Sequence, residues 1–206
     1  MSSFSPLTQQ LINALCCLPG VGTKSAQRMA FHLLEKKARE KGQHLSESLT
    51  EALSKVGTCS RCQTYTEQEV CDICTNPKRN QQLLCIVESP ADIIALEHTH
   101  TYNGCYYVLH GHLSPLDGIG PGELRIPELL DHVAHYPVKE IIIATNPTME
   151  GKATAHYIAS NINKDNITIS QIAYGVPLGG EIEYLDGHTL AHALQTRLPF
   201  IDKHKM

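Results

Sequence analysis

Apolar residues recur along this chain with two different periods. Near the N-terminus they fall at helical spacing, at Leu11, Ile12, Ala14 and Leu15 and then at Ala26, Met29, Ala30, Leu33 and Leu34. These sets predict two short amphipathic helices, one over Leu7–Cys17 and one starting at Thr23 as its N-cap. Leu18-Pro19-Gly20-Val21-Gly22 interrupts them, and residues 35–54 predict further helix. From Gln81 onward, short aliphatic runs alternate with helical spacing. Strands are expected at Leu83–Val87, Tyr106–Leu109, Glu140–Ala144 and Ile167–Ile172, and helices at Pro90–Glu97, Ile126–Ala134, Gly151–Ser160 and Thr189–Leu198. Such alternation predicts an α/β fold, a parallel sheet flanked by helices. In that architecture functional residues collect at the carboxyl ends of strands, here Val87-Glu88-Ser89 and Ala144 through Gly151.

The two regions are joined by a segment of a different kind. Cys59-x2-Cys62-x8-Cys71-x2-Cys74 places two Cys-x-x-Cys pairs among polar residues such as Arg61, Gln63, Thr64, Glu67 and Gln68. Two such turns bring four thiolates to the corners of a tetrahedron about 2.3 Å from one Zn2+. Four cysteines fill the coordination sphere and leave no position for a catalytic water, so the zinc is expected to be structural. A redox pair opens a helix in a βαβ unit, and neither pair here is expected to lead into one. Cys16, Cys17, Cys85 and Cys105 lie in apolar stretches and are expected to be small buried hydrophobes.

The N-terminus has no basic region followed by an apolar run, and nowhere do about 18 apolar residues stand together. These features predict a soluble protein of the reducing cytosol. The overall charge of −4 argues against a polyanionic partner until the chain is divided. Residues 1–58 carry seven Lys/Arg against four Asp/Glu, net +3, whereas residues 81–206 carry seven against fourteen, net −7. Polyanion binding therefore belongs to the N-terminal part, and the acidic remainder suits a basic protein or a cation.

Helix, Gly-Val-Gly hairpin, helix is the pattern of a helix-hairpin-helix, which grips the DNA backbone without reading sequence. Gly20 and Gly22 leave the backbone N–H groups at the start of the second helix open to a phosphate. Lys24 and Arg28 stand four apart, on one helix face, and are expected to flank that phosphate. The loop Gly111 to Gly122 is glycine-rich but ends in neither GKS nor GKT, so it is expected to be structural, with Asp117 turning it. The histidines show neither HExxH nor a partner beside the cysteines, and His110 to His112 give only a weak metal signal.

A strand ending in Glu88 followed by a later strand with an acidic end resembles the Toprim layout of topoisomerases and primases, in which carboxylates hold Mg2+. Here Asn146-Pro147-Thr148 stands where that layout has Asp-x-Asp, with Glu150 just beyond. Without the aspartate pair the charge needed to bind and dehydrate Mg2+ is missing. A Mg2+-dependent nuclease or primase-like enzyme using Glu88, Asp117 and Glu150 is therefore the weaker reading. A zinc-stabilised adaptor without DNA contact is a third reading, and it requires Lys24 and Arg28 to be idle.

LPGVGTKSAQRMAFHLL, the cysteine quartet, VESPADIIALE, GHLSPLDGIGP, ATNPTMEGKATAHYIA and YGVPLGGEIEYLD together resemble, in this order, the bacterial RecR family of recombination mediators. The resemblance covers nearly the whole chain and includes the loss of the Toprim aspartates. It implies a helix-hairpin-helix over residues 1–56, a four-cysteine zinc finger over 57–80, a Toprim domain over 81–174 and an oligomerisation segment over 175–206. It further implies a homotetrameric ring that works non-catalytically at the nucleoid, with RecO and in many bacteria RecF. Together they load RecA onto single-stranded DNA coated by single-stranded DNA-binding protein (SSB). Glu88 and Glu150 are the expected contacts for a protein partner.

Overall fold

The computed structural model of the 206-residue chain describes residues 4–162, 166–177 and 179–197. The chain divides into two compact units, Met1–Val56 and Gly57–Met206.

The first unit is helical: α1 (Pro6–Leu15), α2 (Thr23–Leu34) and α3 (Arg39–Lys55). Ser5 caps α1 by accepting from the Thr8 N–H, and the helix ends two residues before the expected Cys17. The core is small. Ile12, Ala26 and Ala30 are buried, with Phe4, Leu11, Leu15 and Val21 packed against them. Met29 and Leu34, expected inside, are exposed because α2 rests its two alanines on α1 and turns its larger side chains outward. Cys17 is exposed as well, since it lies in the turn beyond α1, whereas Cys85 and Cys105 are buried as expected. The long α3 buries none of its residues within the chain.

The second unit begins with β1 (Gly57–Thr58), β2 (Tyr65–Thr66) and α4 (Asp72–Thr75), then builds a four-stranded sheet. Its strands are β3 (Asn80–Val87), β4 (Gly104–Val108), β5 (Glu140–Ala144) and β6 (Thr168–Gln171), all parallel in the order β4-β3-β5-β6. The connecting helices are α5 (Pro90–Glu97), α6 (Ile126–His135) and α7 (Met149–Asn161), and α8 (Gly187–Gln195) follows β6. Leu198, the expected end of that last helix, lies outside the described residues.

Side-chain alternation along β3 sorts the core into two layers. Leu84 and Ile86 join Tyr107, Ile141, Ile143, Leu129 and Ile158 beneath α6 and α7. Cys85 and Val87 face the other way with Tyr106, Val108 and Ile93 of α5, and Ile73 of the cysteine module packs into this layer too. Tyr106 also donates to Glu97 at 2.6 Å, and Glu97 is paired with Arg79 through both carboxylate oxygens.

Candidate functional site

Three places among the described residues hold the side chains that the sequence singles out. The first is the hairpin between α1 and α2. Val21 N–H donates to Leu18 O at 3.1 Å, closing a turn with Pro19 and Gly20 at its centre. Gly20 has φ +76°, the left-handed conformation that a type II turn demands at that position. Gly22 has φ −81° and serves as N-cap of α2, so the expected Thr23 cap is replaced by the residue before it. A glycine offers no side-chain oxygen, and no side chain caps α2. Its first-turn N–H groups therefore face outward with the positive end of the helix dipole behind them. A Cβ at Gly22 would meet nothing within 4 Å, so the space beside the helix start is open. Lys24, Gln27, Arg28 and Phe31 line one open groove along the helix, which places the two expected cations side by side.

The second is the cysteine module. The Sγ atoms of Cys59, Cys62, Cys71 and Cys74 all lie within 4.8 Å of one another, and all four residues are buried. A tetrahedron of sulfurs about 2.3 Å from a central ion has edges near 3.8 Å, so the donor set fits one Zn2+. Cys71 N–H donates to Cys59 Sγ at 3.3 Å, the kind of contact that stabilises a thiolate. Hydrogen bonds from Cys62 and Cys74 hold the Cys71 thiol well below the usual thiol range, and the same shared protons push Cys62 and Cys74 up. A divalent cation takes the place of those protons. The second pair does lead into a helix, contrary to expectation, because Cys71 is the N-cap of the single turn α4.

This module is fastened to the edge of the sheet. Cys62 O accepts from Val108 N–H at 2.9 Å, occupying a ladder position on the edge strand β4. Gln63 O meets His110 Nε2 at 2.6 Å, and Gln63 Oε1 accepts from Arg125 Nη1 at 2.5 Å. Arg61 stacks over the Tyr136 ring, 5.6 Å from its centroid. Gln63, His110 and Arg125 all have positive φ, at 64°, 57° and 51°. Each costs on the order of 1 kcal/mol or more in backbone strain, and their mutual hydrogen bonds offset it. Sequence pattern does not reveal these three partners, although the His110–His112 triplet marks the place.

The third is the carboxyl end of β3 and β5. Val87 pairs with Ala144, which sets Glu88 beside Asn146. Glu88 is only 5% exposed. Its Oε1 accepts from Asn146 N–H at 2.9 Å and its Oε2 from Asn146 Nδ2 at 2.6 Å, with His112 Nδ1 3.6 Å away. Both oxygens of this enclosed carboxylate are thus taken up within the fold. Glu150 stays exposed in the first turn of α7. Gly151 is required here: a Cβ would collide with Asn146 O and stand 2.8 Å from Glu88 Oε1. Asp117 lies in the loop and accepts from Ser114 Oγ at 2.6 Å, the turn role expected of it. Among the described residues, the cysteine quartet is the one group of three or more His, Cys, Asp or Glu placed to share an ion, and Glu88, Asp117 and Glu150 do not form another.

The chain matches four family descriptions in sequence order: the RecR helix-hairpin-helix over residues 8–53, the RecR four-cysteine zinc finger domain over 56–76, the Toprim domain over 82–173 and the RecR C-terminal region over 175–197. It is 63% identical to recombination protein RecR of Coxiella burnetii over 199 residues, covering 97% of this chain and 99% of that one. The chain belongs to the RecR family. Recombination protein RecR of Saccharophagus degradans is 56% identical over 194 residues, covering 94% of this chain and 98% of that one. That of Stutzerimonas stutzeri is 56% identical over 197 residues, covering 96% and 98%. The cysteine quartet is thus the zinc site of a RecR finger, and the parallel sheet is a Toprim domain. No helix among the described residues is long and apolar enough to cross a membrane.

Proposed function

We propose that this RecR-family chain is a non-catalytic, cytoplasmic DNA-binding mediator of recombination. It acts with RecO, and with RecF where that protein is present, to load RecA onto single-stranded DNA coated by SSB. The observation that carries this reading is the α1–α2 hairpin. An uncapped helix start, opened by Gly20 and Gly22, stands beside the groove shared by Lys24 and Arg28. Such a site binds a backbone phosphate and reads no bases. One copy gives a modest contact, and several copies in a ring raise the affinity through effective concentration.

Two further features support the same reading. On α3, Leu45, Leu49 and Leu53 are exposed at spacings of four, a continuous apolar stripe suited to a second copy of the chain in a homotetrameric ring. At the Toprim end, Glu88 is engaged by Asn146 while Glu150 stays exposed, which offers Glu150 to a basic surface such as that of RecO. The competing reading, a Mg2+-dependent nuclease or primase-like enzyme, needs Glu88 free to bind metal beside a second acid.

The test is to incubate labelled single-stranded and duplex DNA with zinc-loaded protein and Mg2+, and to run native and denaturing gels in parallel. The reading predicts retarded, uncut DNA. Mg2+-dependent cleavage that disappears in Glu88→Ala overturns it in favour of the enzyme. For the docking surface, Glu150→Arg is expected to weaken RecO binding, and an unchanged affinity removes Glu150 from the account.

A further inference from the structure

A cavity of about 480 Å3 opens where the carboxyl ends of β5 and β6 approach α8, walled by Pro147, Lys152, Tyr174, His188, Thr189 and His192 among others. Three of these carry basic nitrogens, and no described residue of the wall is acidic, although residues 81–206 are acidic overall. Two acids stand two positions from wall residues: Glu150, before Lys152, is exposed in the first turn of α7, and Asp186, before His188, is committed to capping α8. Asp186 Oδ1 accepts from the His188 and Thr189 N–H groups at 3.0 and 2.9 Å, and its Oδ2 accepts from Thr189 Oγ1 at 2.6 Å.

His192 supplies the second observation. Its Nδ1 is buried and has no hydrogen-bond partner among the described residues. Its ring packs edge-on to Tyr174 at 5.8 Å between centroids. Tyr174 is itself fixed, donating to Thr145 O at 2.9 Å and receiving Gln171 Nε2 at 3.1 Å. A buried nitrogen without a partner is costly and rare in folded proteins. Here it belongs to a residue that lines a basic cavity of ligand size, at the strand ends where open α/β sheets bind their ligands.

We propose that this cavity binds a phosphate group through Lys152, His188 and His192, carried either by a free nucleotide or by a DNA backbone. Lysine and histidine supply point charge and donors without the planar selectivity of arginine, which suits a phosphate held at one or two oxygens. The site is separate from the hairpin: its residues belong to the second unit, and Lys24 and Arg28 to the first. The two can therefore be tested independently.

The experiment uses full-length zinc-loaded protein, with ATP as probe in isothermal titration calorimetry and a fluorescein-labelled oligo-dT in anisotropy. Lys152→Glu reverses an exposed charge, and His192→Phe keeps the ring against Tyr174 while removing its nitrogens. Each is expected to lower ATP affinity about tenfold or more, the usual loss for one charge-assisted hydrogen bond. Lys24→Ala/Arg28→Ala is expected to leave ATP affinity unchanged. If ATP does not bind but Lys152→Glu weakens oligo-dT binding about tenfold in the Lys24→Ala/Arg28→Ala background, the phosphate comes from DNA and the site stands. ATP binding that neither variant alters overturns the proposal. So does the absence of ATP binding together with unchanged oligo-dT affinity.

Discussion

Asn146 donates to both carboxylate oxygens of Glu88, through its main-chain N–H to Oε1 at 2.9 Å and its side-chain amide to Oε2 at 2.6 Å. The buried glutamate at the head of the sheet thereby finds its partner in a neutral amide. An aspartate at that position would need a cation between the two acids. The asparagine satisfies Glu88 without one and adds no negative charge beside it.

Asn146→Asp reverses this arrangement. The introduced acid loses the amide donor and sets a like charge against Glu88, and the pair shares a proton with a raised pKa. The folded state then binds more protons than the unfolded one, so stability falls as pH rises through that raised value. The expected cost is about 1–3 kcal/mol at neutral pH, with melting lowered by several degrees, less at about pH 5, and partly restored by millimolar Mg2+. Thermal scans at acidic and neutral pH, with and without Mg2+, check this. Equal melting of variant and parent above neutral pH without metal contradicts it.

The zinc finger is expected to hold the edge of the Toprim sheet as well as itself. Cys62 O occupies the Val108 N–H, and Gln63 holds His110 and Arg125 in left-handed conformations. Stripping the zinc should raise hydrogen exchange across residues 104–112 and leave β5 protected. Mass spectrometry of zinc-loaded and metal-free protein reads this directly. Changes confined to residues 57–80 would show that the finger is only an appendage.

His132 provides a pH signature. Burial, assisted by the nearby Arg61 charge, lowers its pKa to about 4. Its ring stacks on Tyr136, 4.2 Å between centroids, and meets Tyr107 edge-on. The unfolded state takes up a proton near pH 6.5, and the folded state does so only near 4. The stability that His132 contributes is therefore complete above about pH 6.5 and lost as pH falls toward 4. Discounted for the solvent that still reaches this half-buried ring, it amounts to about 1–2 kcal/mol. His132→Phe should flatten this part of the stability curve in denaturant titrations from neutral to acidic pH. A variant curve parallel to the parent's sinks the assignment.

Much of this is legible in the sequence, and the differences have physical causes. Glu140–Ala144 stands out to the residue because a run of isoleucines lies between polar neighbours. The start of β3 lies three residues earlier than its apolar run suggests, since Asn80, Gln81 and Gln82 are polar and tertiary pairing of Asn80 with Gly104 overrides their composition. For α8, Asp186 before His188 and Thr189 is a visible capping signal that apolar spacing alone passes over. Spacing marks the zinc ligands, and helical period puts Lys24 and Arg28 together. The burial of Glu88, the partners of Gln63 and the cavity around His192 depend on residues dozens of positions apart. No local pattern encodes them.

The hairpin between α1 and α2 is the phosphate-binding element of the proposed mediator. Its most direct test is anisotropy of labelled single-stranded DNA against zinc-loaded parent and Lys24→Ala/Arg28→Ala, measured over a range of salt concentrations. The account predicts weaker binding to every sequence and a shallower dependence of log affinity on log salt, by about 1.4 when two phosphates per chain are no longer neutralised. Unchanged affinity with an unchanged slope would contradict it and leave the chain as a zinc-stabilised adaptor that does not touch DNA through this motif.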